Sequence, residues 1–279
     1  MKVAVLSGKG GTGKTFVSVN LAVTAKESIY IDCDVEEPNG RLFLKPKNIK
    51  KEEVFTLLPQ FLGEKCIGCR KCVDFCRFNA LGFIKNIPLV FSEVCHSCGG
   101  CAIVCPSGAI SETKRPIGVV EDGFYKSVRV ITGELNVGET SGVPVIRTAL
   151  DRTPINENIT VIDCPPGSAC TVMESVEIAD YCVLVAEATA FGLHNFQMVY
   201  ELVSLLQKPC GVVINKADGS YSHLESFCKE RNIPVFCRIP YKENLAQIGA
   251  KAGIAVEEDG EMKEQFSELL GKIKREVEK

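Results

Sequence analysis

The 279-residue chain is 46% hydrophobic and 24% charged, which excludes disordered and fibrous classes and suits one large α/β domain or two smaller ones. A formal net charge of −3 gives no general electrostatic reason to expect a nucleic-acid partner, and no apolar run reaches the length of a membrane span. Met1-Lys2 passes directly into an apolar run, which leaves no room for a signal peptide and predicts a cytoplasmic protein.

In chain order, Val3-Ala4-Val5-Leu6 predicts a buried strand, and Phe16 to Ala22 predicts a helix packed on a sheet. Between them stands Gly8-Lys9-Gly10-Gly11-Thr12-Gly13-Lys14-Thr15. A strand, a Gly-rich loop and a helix in that order are the context of a phosphate-binding P-loop. The glycines let successive N–H groups turn toward one anion, and the helix N-terminus adds a favourable dipole. Lys14 would reach the β- and γ-phosphates and the Thr15 hydroxyl would ligate Mg²⁺. The residues from Gly8 to Phe16 therefore form the candidate nucleotide site, with a Gly-rich turn ahead of an ordinary helix as the plainer alternative. Ser28 to Ile31 predicts a second strand, running into Asp32-Cys33-Asp34. Alternation points the two acids one way and Cys33 the other, and aspartates at the C-terminal end of a strand in a parallel sheet face the ligand crevice. The Lys-rich stretch from Lys45 to Glu53 reads as solvated surface.

Eight of the fifteen cysteines lie between positions 66 and 105. A reducing compartment disfavours structural disulfides, so this density reads as metal ligation. Cys66, Cys69, Cys72 and Cys76 form one CxxCxxCxxxC run, and Cys95, Cys98, Cys101 and Cys105 form a second. The repeat extends past the cysteines, from Arg77-Phe78-Asn79-Ala80-Leu81 to Pro106-Ser107-Gly108-Ala109-Ile110. Tandem runs of this spacing are the bacterial ferredoxin arrangement for two [4Fe–4S] clusters, in which the fourth cysteine of each run serves the other cluster. Cys66, Cys69, Cys72 and Cys105 would then hold one cluster, and Cys95, Cys98, Cys101 and Cys76 the other. Structural zinc is the alternative, although zinc sites usually pair two separated dyads. Arg77 stands where the second run has Pro106, a change near one cluster that removes no ligand. This segment, residues 61–111, is expected to be a small α+β ferredoxin-like domain inserted into a discontinuous domain made of residues 1–60 and 112–279.

After the insert, Gly118-Val119-Val120 and Ser127 to Ile131 flank Asp122-Gly123, a hairpin signal. Ile159 to Asp163, Tyr181 to Ala186, Cys210 to Asn215 and Pro234 to Pro240 are further strands, with helical character from Leu193 to Gln207 and in two segments near the end. Near-continuous apolar strands alternating with helices predict a doubly wound, mostly parallel sheet.

The loop with its extra lysine, Lys9, resembles those of the deviant-Walker ATPases of the MinD/ParA/Mrp class. With the eight cysteines, Asp32-Cys33-Asp34, Gly133 to Gly138, Asp163-Cys164-Pro165-Pro166-Gly167 and Asn215-Lys216-Ala217-Asp218, the whole chain resembles MinD-superfamily P-loop ATPases that contain an inserted ferredoxin domain. The resemblance implies that Lys9 contacts phosphate across a homodimer with ATP sandwiched between its subunits. It implies that Asp34 positions or activates the attacking water, that Asp163 holds Mg²⁺ through water, and that the Gly167 amide senses the γ-phosphate. Asn215 and Asp218 would meet the base. A buried aspartate there favours guanine, whereas in the MinD-like class the asparagine commonly meets adenine, and the loop type favours ATP. Cys33 and Cys164 each adjoin one of these acids, but small buried apolar roles suit strand ends better. MinD itself uses a terminal amphipathic helix on membranes; here the mixed charge around Phe266, Leu269, Leu270 and Ile273 favours packing on the sheet.

The resemblance implies an ATP-hydrolysing homodimer whose switch loops act on two [4Fe–4S] clusters, in assembly or transfer of an iron–sulfur or related metal centre to a partner protein. Two alternatives stand beside it: an ATP-gated electron donor to a redox partner, and a nucleotide-dependent interaction switch with structural clusters.

Overall fold

The computed structural model describes residues 1–85, 87–153, 159–217 and 222–278. The strands β1 (Lys2–Leu6) and β2 (Ser28–Asp32) enclose the helix α1 (Lys14–Thr24), and α2 (Gly40–Leu44) follows. A long strand β3 (Lys47–Phe61) leads to α3 (Lys71–Phe75), β4 (Leu81–Ile84), β5 (Ile87–Val90) and α4 (Gly100–Ile103). The chain returns along β6 (Ile110–Tyr125), turns into β7 (Val128–Leu135) and passes through α5 (Val143–Leu150), β8 (Ile159–Asp163) and α6 (Cys170–Glu177). Then come β9 (Tyr181–Glu187), α7 (Ala190–Leu205), β10 (Cys210–Ala217), α8 (His223–Glu230) and β11 (Val235–Pro240). The helices α9 (Glu243–Ala250), α10 (Ala255–Glu258) and α11 (Gly260–Val277) close the chain.

Nine strands form one sheet in the order β11-β10-β9-β1-β8-β2-β7-β6-β3. Neighbours from β11 to β7 are parallel, and β6 and β3 add an antiparallel edge. The predicted mostly parallel α/β sheet is therefore what forms. Its strands are buried on both faces, and alternation sorts their residues. Ala4, Leu6, Ile29 and Ile31 join α5, α6, α7 and α8 in one core. Val3, Val5 and Tyr30 join α1, α9 and α11 in the other. The apolar stripe of α11 (Phe266, Leu269, Leu270, Ile273) is buried in that second core, so its amphipathicity serves packing. Among the described residues no helix is long and apolar enough to cross a membrane.

One local expectation is extended and one is corrected. The stretch Lys45–Glu53 is solvated, but from Lys47 onward it is the start of β3, held by its antiparallel ladder with β6 rather than by any apolar face of its own. The hairpin after the cysteine block turns at Lys126-Ser127, between the paired residues Tyr125 and Val128, not at Asp122-Gly123. Lys126 takes the left-handed conformation there (φ 50°). Gly123 lies within β6, at a place where a Cβ would fall 2.9 Å from the Lys47 carbonyl oxygen of β3. Asp122 is occupied in ion pairs with Arg129 and Arg152.

The edge strands differ in reach. β6 pairs with β7 only from Gly118 to Tyr125, whereas it pairs with β3 from Phe124 down to Ile110. Beyond Gly118 the two strands continue as a ribbon that carries residues 62–109. The internal repeat recurs in the backbone: 3₁₀ turns at Gly63–Lys65 and Ser92–Val94, left-handed Gly68 and Ser97, then left-handed Arg70 and Gly99 ahead of α3 and α4. β4 and β5 form a small antiparallel sheet between the two halves.

Candidate nucleotide and thiol sites

The loop between β1 and α1 opens on a cavity of about 990 Å³. Lys9, Gly10, Gly11, Gly13, Lys14, Thr15 and Phe16 line it on one side, and Asp34, the loop Leu135–Glu139 and Pro165-Pro166 are among the residues of its other walls. The required backbone is present, with Gly11 at φ 79° and Gly13 at φ 92°. Lys14 is buried; its Nζ lies 2.6 Å from Asp163 Oδ1 and 3.5 Å from Asp34 Oδ2. Burial alone would lower the Lys14 pKa, but Asp163, Asp34 and Asp32 outweigh it and hold the ammonium form above its usual range. Three acids, Asp32 at the end of β2, Asp34 just beyond it and Asp163 at the end of β8, thus surround one cation.

The second oxygen of Asp163 accepts a hydrogen bond from the Tyr30 hydroxyl at 2.8 Å. Burial, followed by the Asp163 and Asp32 charges, raises the Tyr30 pKa well above its ordinary value, so the phenol stays a donor. Asp32 faces inward and accepts from the Gly40 and Asp34 N–H groups. Burial and then the Asp163 charge push its carboxyl up to about 8, against the pull of Lys14 and the Gly40 N–H. Burial chiefly raises Asp34, which Lys14 opposes. Cys33 and Cys164 are fully buried, and that burial drives their thiol pKa values up, as befits packing residues. Cys182 and Cys237 are likewise buried; Cys210 is half-buried.

Other expected residues have occupations of their own. Lys9 is ion-paired with Glu187 at 2.7 Å and lies over the Phe191 ring. Lys216 bridges the same Glu187 and the Gly11 carbonyl. The Gly167 N–H donates to the Ser7 carbonyl at 2.9 Å. Asn215 is buried, and its Nδ2 donates to the Thr12 carbonyl at 2.7 Å. A Cβ on Gly13 would fall 2.0 Å from that Nδ2, so Asn215 fills the space that glycine leaves. Asp218 lies outside the described residues. Sequence reasoning missed Tyr30 and Glu187. The alternation that paired Asp32 with Asp34 also puts Tyr30 on their side, and could have found it; Glu187 carries no local signal.

The cysteine segment has two smaller cavities. One, about 200 Å³, is lined by Cys76, Cys95, Cys98 and Cys101 together with Phe75, Phe78 and His96. The other, about 20 Å³, is lined by Cys66, Cys69, Cys72 and Cys105 with Phe83 and Arg70. Each cavity thus takes three cysteines from one run and the fourth from the other. The Ala80 N–H donates to Cys76 Sγ at 3.4 Å and the Ala109 N–H to Cys105 Sγ at 3.3 Å. For Cys105, burial raises the thiol pKa, but the Ala109, Ser107 and Gly108 donors more than offset it and favour the thiolate. His96 stacks on Phe78 with centroids 3.7 Å apart. Among the described residues no three Cys, His, Asp or Glu side chains converge tightly enough for a single metal ion.

The ribbon is tied to the nucleotide cavity. The Asn136 N–H donates to the Ile117 carbonyl at 2.8 Å, and Arg115 on β6 makes two 2.6 Å bonds to Glu139. Arg41 of α2 pairs with Glu134 in two bonds and with Glu121 of β6 at 3.7 Å.

Residues 3–253 match the family described as the CobQ/CobB/MinD/ParA nucleotide binding domain. An uncharacterized protein of Methanocaldococcus jannaschii is 30% identical over 98% of this chain and 96% of its own length. The iron–sulfur cluster carrier protein of Pyrococcus abyssi is 47% identical over a short stretch, 19% of each chain. Among solved structures, the septum site-determining protein MinD of Pyrococcus horikoshii, complexed with Mg-ADP, superposes with a TM-score of 0.59 at 17% identity, covering 98% of this chain and 95% of its own.

Proposed function

Because the chain belongs to the CobQ/CobB/MinD/ParA nucleotide-binding family, we propose that it is an ATP-hydrolysing homodimeric switch whose ribbon carries a ferredoxin-like module with two [4Fe–4S] clusters. The switch would serve assembly or delivery of an iron–sulfur or related metal centre to a partner protein. The observation that carries this reading is the lining of the two small cavities, each with the four-cysteine set that ferredoxin spacing assigns to one cluster.

The residues suit such clusters. Each set is four thiols, and backbone N–H groups donate to the sulfurs of Cys76 and Cys105, the kind of hydrogen bond that stabilises and tunes a ligating thiolate. A cubane takes one thiol on each of four irons, so it does not need the tight convergence that a single zinc ion demands. When bound, the clusters supply one-electron redox capacity and a transferable iron–sulfide core. The nucleotide site would work through its own residues. Phosphates in the cradle would draw Lys14 from Asp163, leaving Asp163 with Thr15 to hold Mg²⁺, while Asp34 orients the attacking water. Lys9 would exchange Glu187 for phosphate across the dimer. The Gly167 N–H would exchange the Ser7 carbonyl for the γ-phosphate. Movement of the loop Leu135–Glu139, which lines the nucleotide cavity, would reach the ribbon through Arg115–Glu139.

The test loads the protein anaerobically, adds an apo-acceptor with or without ATP, and tracks iron. Delivery predicts ATP-dependent appearance of iron in the acceptor. Exposure of one cysteine in each set, Cys69 and Cys98, also favours the second reading, ATP-gated electron transfer. Clusters that stay bound while cycling between redox states would select it.

A further inference from the structure

We propose that Tyr30 is a positioning residue for the magnesium site: its hydroxyl holds the Asp163 carboxylate in the orientation that Mg²⁺ requires. The inference rests on the nucleotide-switch reading above.

Tyr30 lies in the middle of β2 and is wholly buried. A buried tyrosine hydroxyl usually finds a hydrogen-bond partner. Here the hydroxyl meets a buried carboxylate at 2.8 Å, and that carboxylate is the acid paired with the loop lysine. The two oxygens of Asp163 are divided between two donors, Lys14 Nζ on Oδ1 and Tyr30 Oη on Oδ2. They differ in what can happen to them. Lys14 is a long flexible chain that phosphate would recruit. Tyr30 is a rigid ring packed among Val3, Val5 and Val161 in the same core, and nothing in the nucleotide would displace it. Once Lys14 leaves, Tyr30 is the donor that keeps Asp163 from rotating and that offsets the cost of its buried charge.

The fold makes room for this contact. Gly40, the first residue of α2, has no side chain where a Cβ would fall 2.1 Å from Tyr30 Oη. Its N–H is held by Asp32 at 2.9 Å. The start of α2 therefore closes over the phenol and fixes it against Asp163. Asp163 itself is fully buried and, with Thr15, provides oxygen donors of the kind Mg²⁺ selects.

The experiment measures binding of a non-hydrolysable ATP analogue calorimetrically while Mg²⁺ is varied, in the full chain. Loss of an outer-shell partner typically weakens metal affinity by 10- to 100-fold. Tyr30→Phe should therefore raise the Mg²⁺ concentration for half-maximal enhancement of binding by about 10-fold or more, while affinity for the analogue without Mg²⁺ stays within about twofold. A purely structural role would lower the unfolding midpoint without moving the Mg²⁺ dependence; that result, or an unchanged Mg²⁺ dependence, overturns the proposal. Should Tyr30→Phe not fold, 3-fluorotyrosine at position 30 keeps the ring and its packing but changes the acidity of the hydroxyl, and a Mg²⁺ dependence that does not move with it overturns the proposal. Wild-type protein that binds no analogue at any Mg²⁺ concentration would instead refute the nucleotide-switch reading, and the proposal with it.

Discussion

Replacing Asn215 by alanine separates two roles for the segment after β10. Sequence pattern assigned Asn215 to the nucleotide base, but its Nδ2 donates to the Thr12 carbonyl inside the phosphate loop. Both residues are buried, so Asn215→Ala leaves an acceptor without a donor in a place that water does not readily reach. Such a loss costs about 1–3 kcal/mol. If the whole cost falls on the phosphate-ready form of the loop, affinity drops roughly 5- to 150-fold, since about 1.4 kcal/mol is a factor of ten. The alanine also empties the space beside Gly13 that Asn215 fills, which loosens the loop further. The assay is calorimetry with three Mg²⁺-bound ligands: ADP, GDP and inorganic tripolyphosphate. An anchor of the loop predicts the same fractional loss for all three, because each presents phosphates to the same amides. A weakened ADP with an unaltered tripolyphosphate would refute the anchoring argument and return Asn215 to the base.

Three further outcomes follow from the same geometry. Lys9→Ala should keep nucleotide affinity and abolish ATP-dependent dimerisation, followed by light scattering in an Asp34→Ala background that retains ATP; an unchanged dimer fraction removes Lys9 from the interface. Cys76→Ser should damage the cluster of the cavity lined by Cys95, Cys98 and Cys101, and spectroscopic loss of the other cluster instead would show that the ligands do not cross. The Asp32 carboxyl, raised from 3.8 to about 8 by burial and by Asp163, keeps more protons in the fold than in the unfolded chain. Its contribution is therefore present at low pH and is lost as pH rises from about 4 to about 8. The wild-type unfolding free energy minus that of Asp32→Asn should fall across that window, and a difference that is flat from about pH 5 to pH 9 contradicts the raised carboxyl.

How much was legible in the sequence depended on whether the signal was local. The strand β1 could be read because its alternate residues enter two different cores, Ala4 and Leu6 in one, Val3 and Val5 in the other. The two thiol sets could be read because the cysteine spacing repeats locally in the sequence, and each small cavity is lined by one of the sets. β3 could not, because its first half is charged and exposed and owes its extended form to β6, more than fifty residues away in the chain. Asp122-Gly123 looked like a turn because both residues favour turns. Gly123 is there for the close approach of β3, and Asp122 for two arginines. Propensity was outweighed by contacts that only the assembled sheet reveals.

The link between the two sites was the least legible feature, and it decides whether the chain is one machine or two joined modules. No motif predicts that Arg115 meets Glu139, yet the pair sits where it matters. From Phe124 to Gly118, β6 lies between β3 and β7 in the main sheet; from Pro116 outward it has lost β7 and keeps only β3. Arg115 is the next residue along, and its two bonds run to the loop that lines the nucleotide cavity. Asn136 spans that border, its N–H donating to the Ile117 carbonyl and its Nδ2 to the Pro116 carbonyl. Under the proposed switch, the Arg115–Glu139 tie is the route by which nucleotide would reach the thiol sets. The ribbon is bonded, through a bidentate pair of geometry stronger than an ordinary surface contact, to a wall of the cavity that the nucleotide must fill.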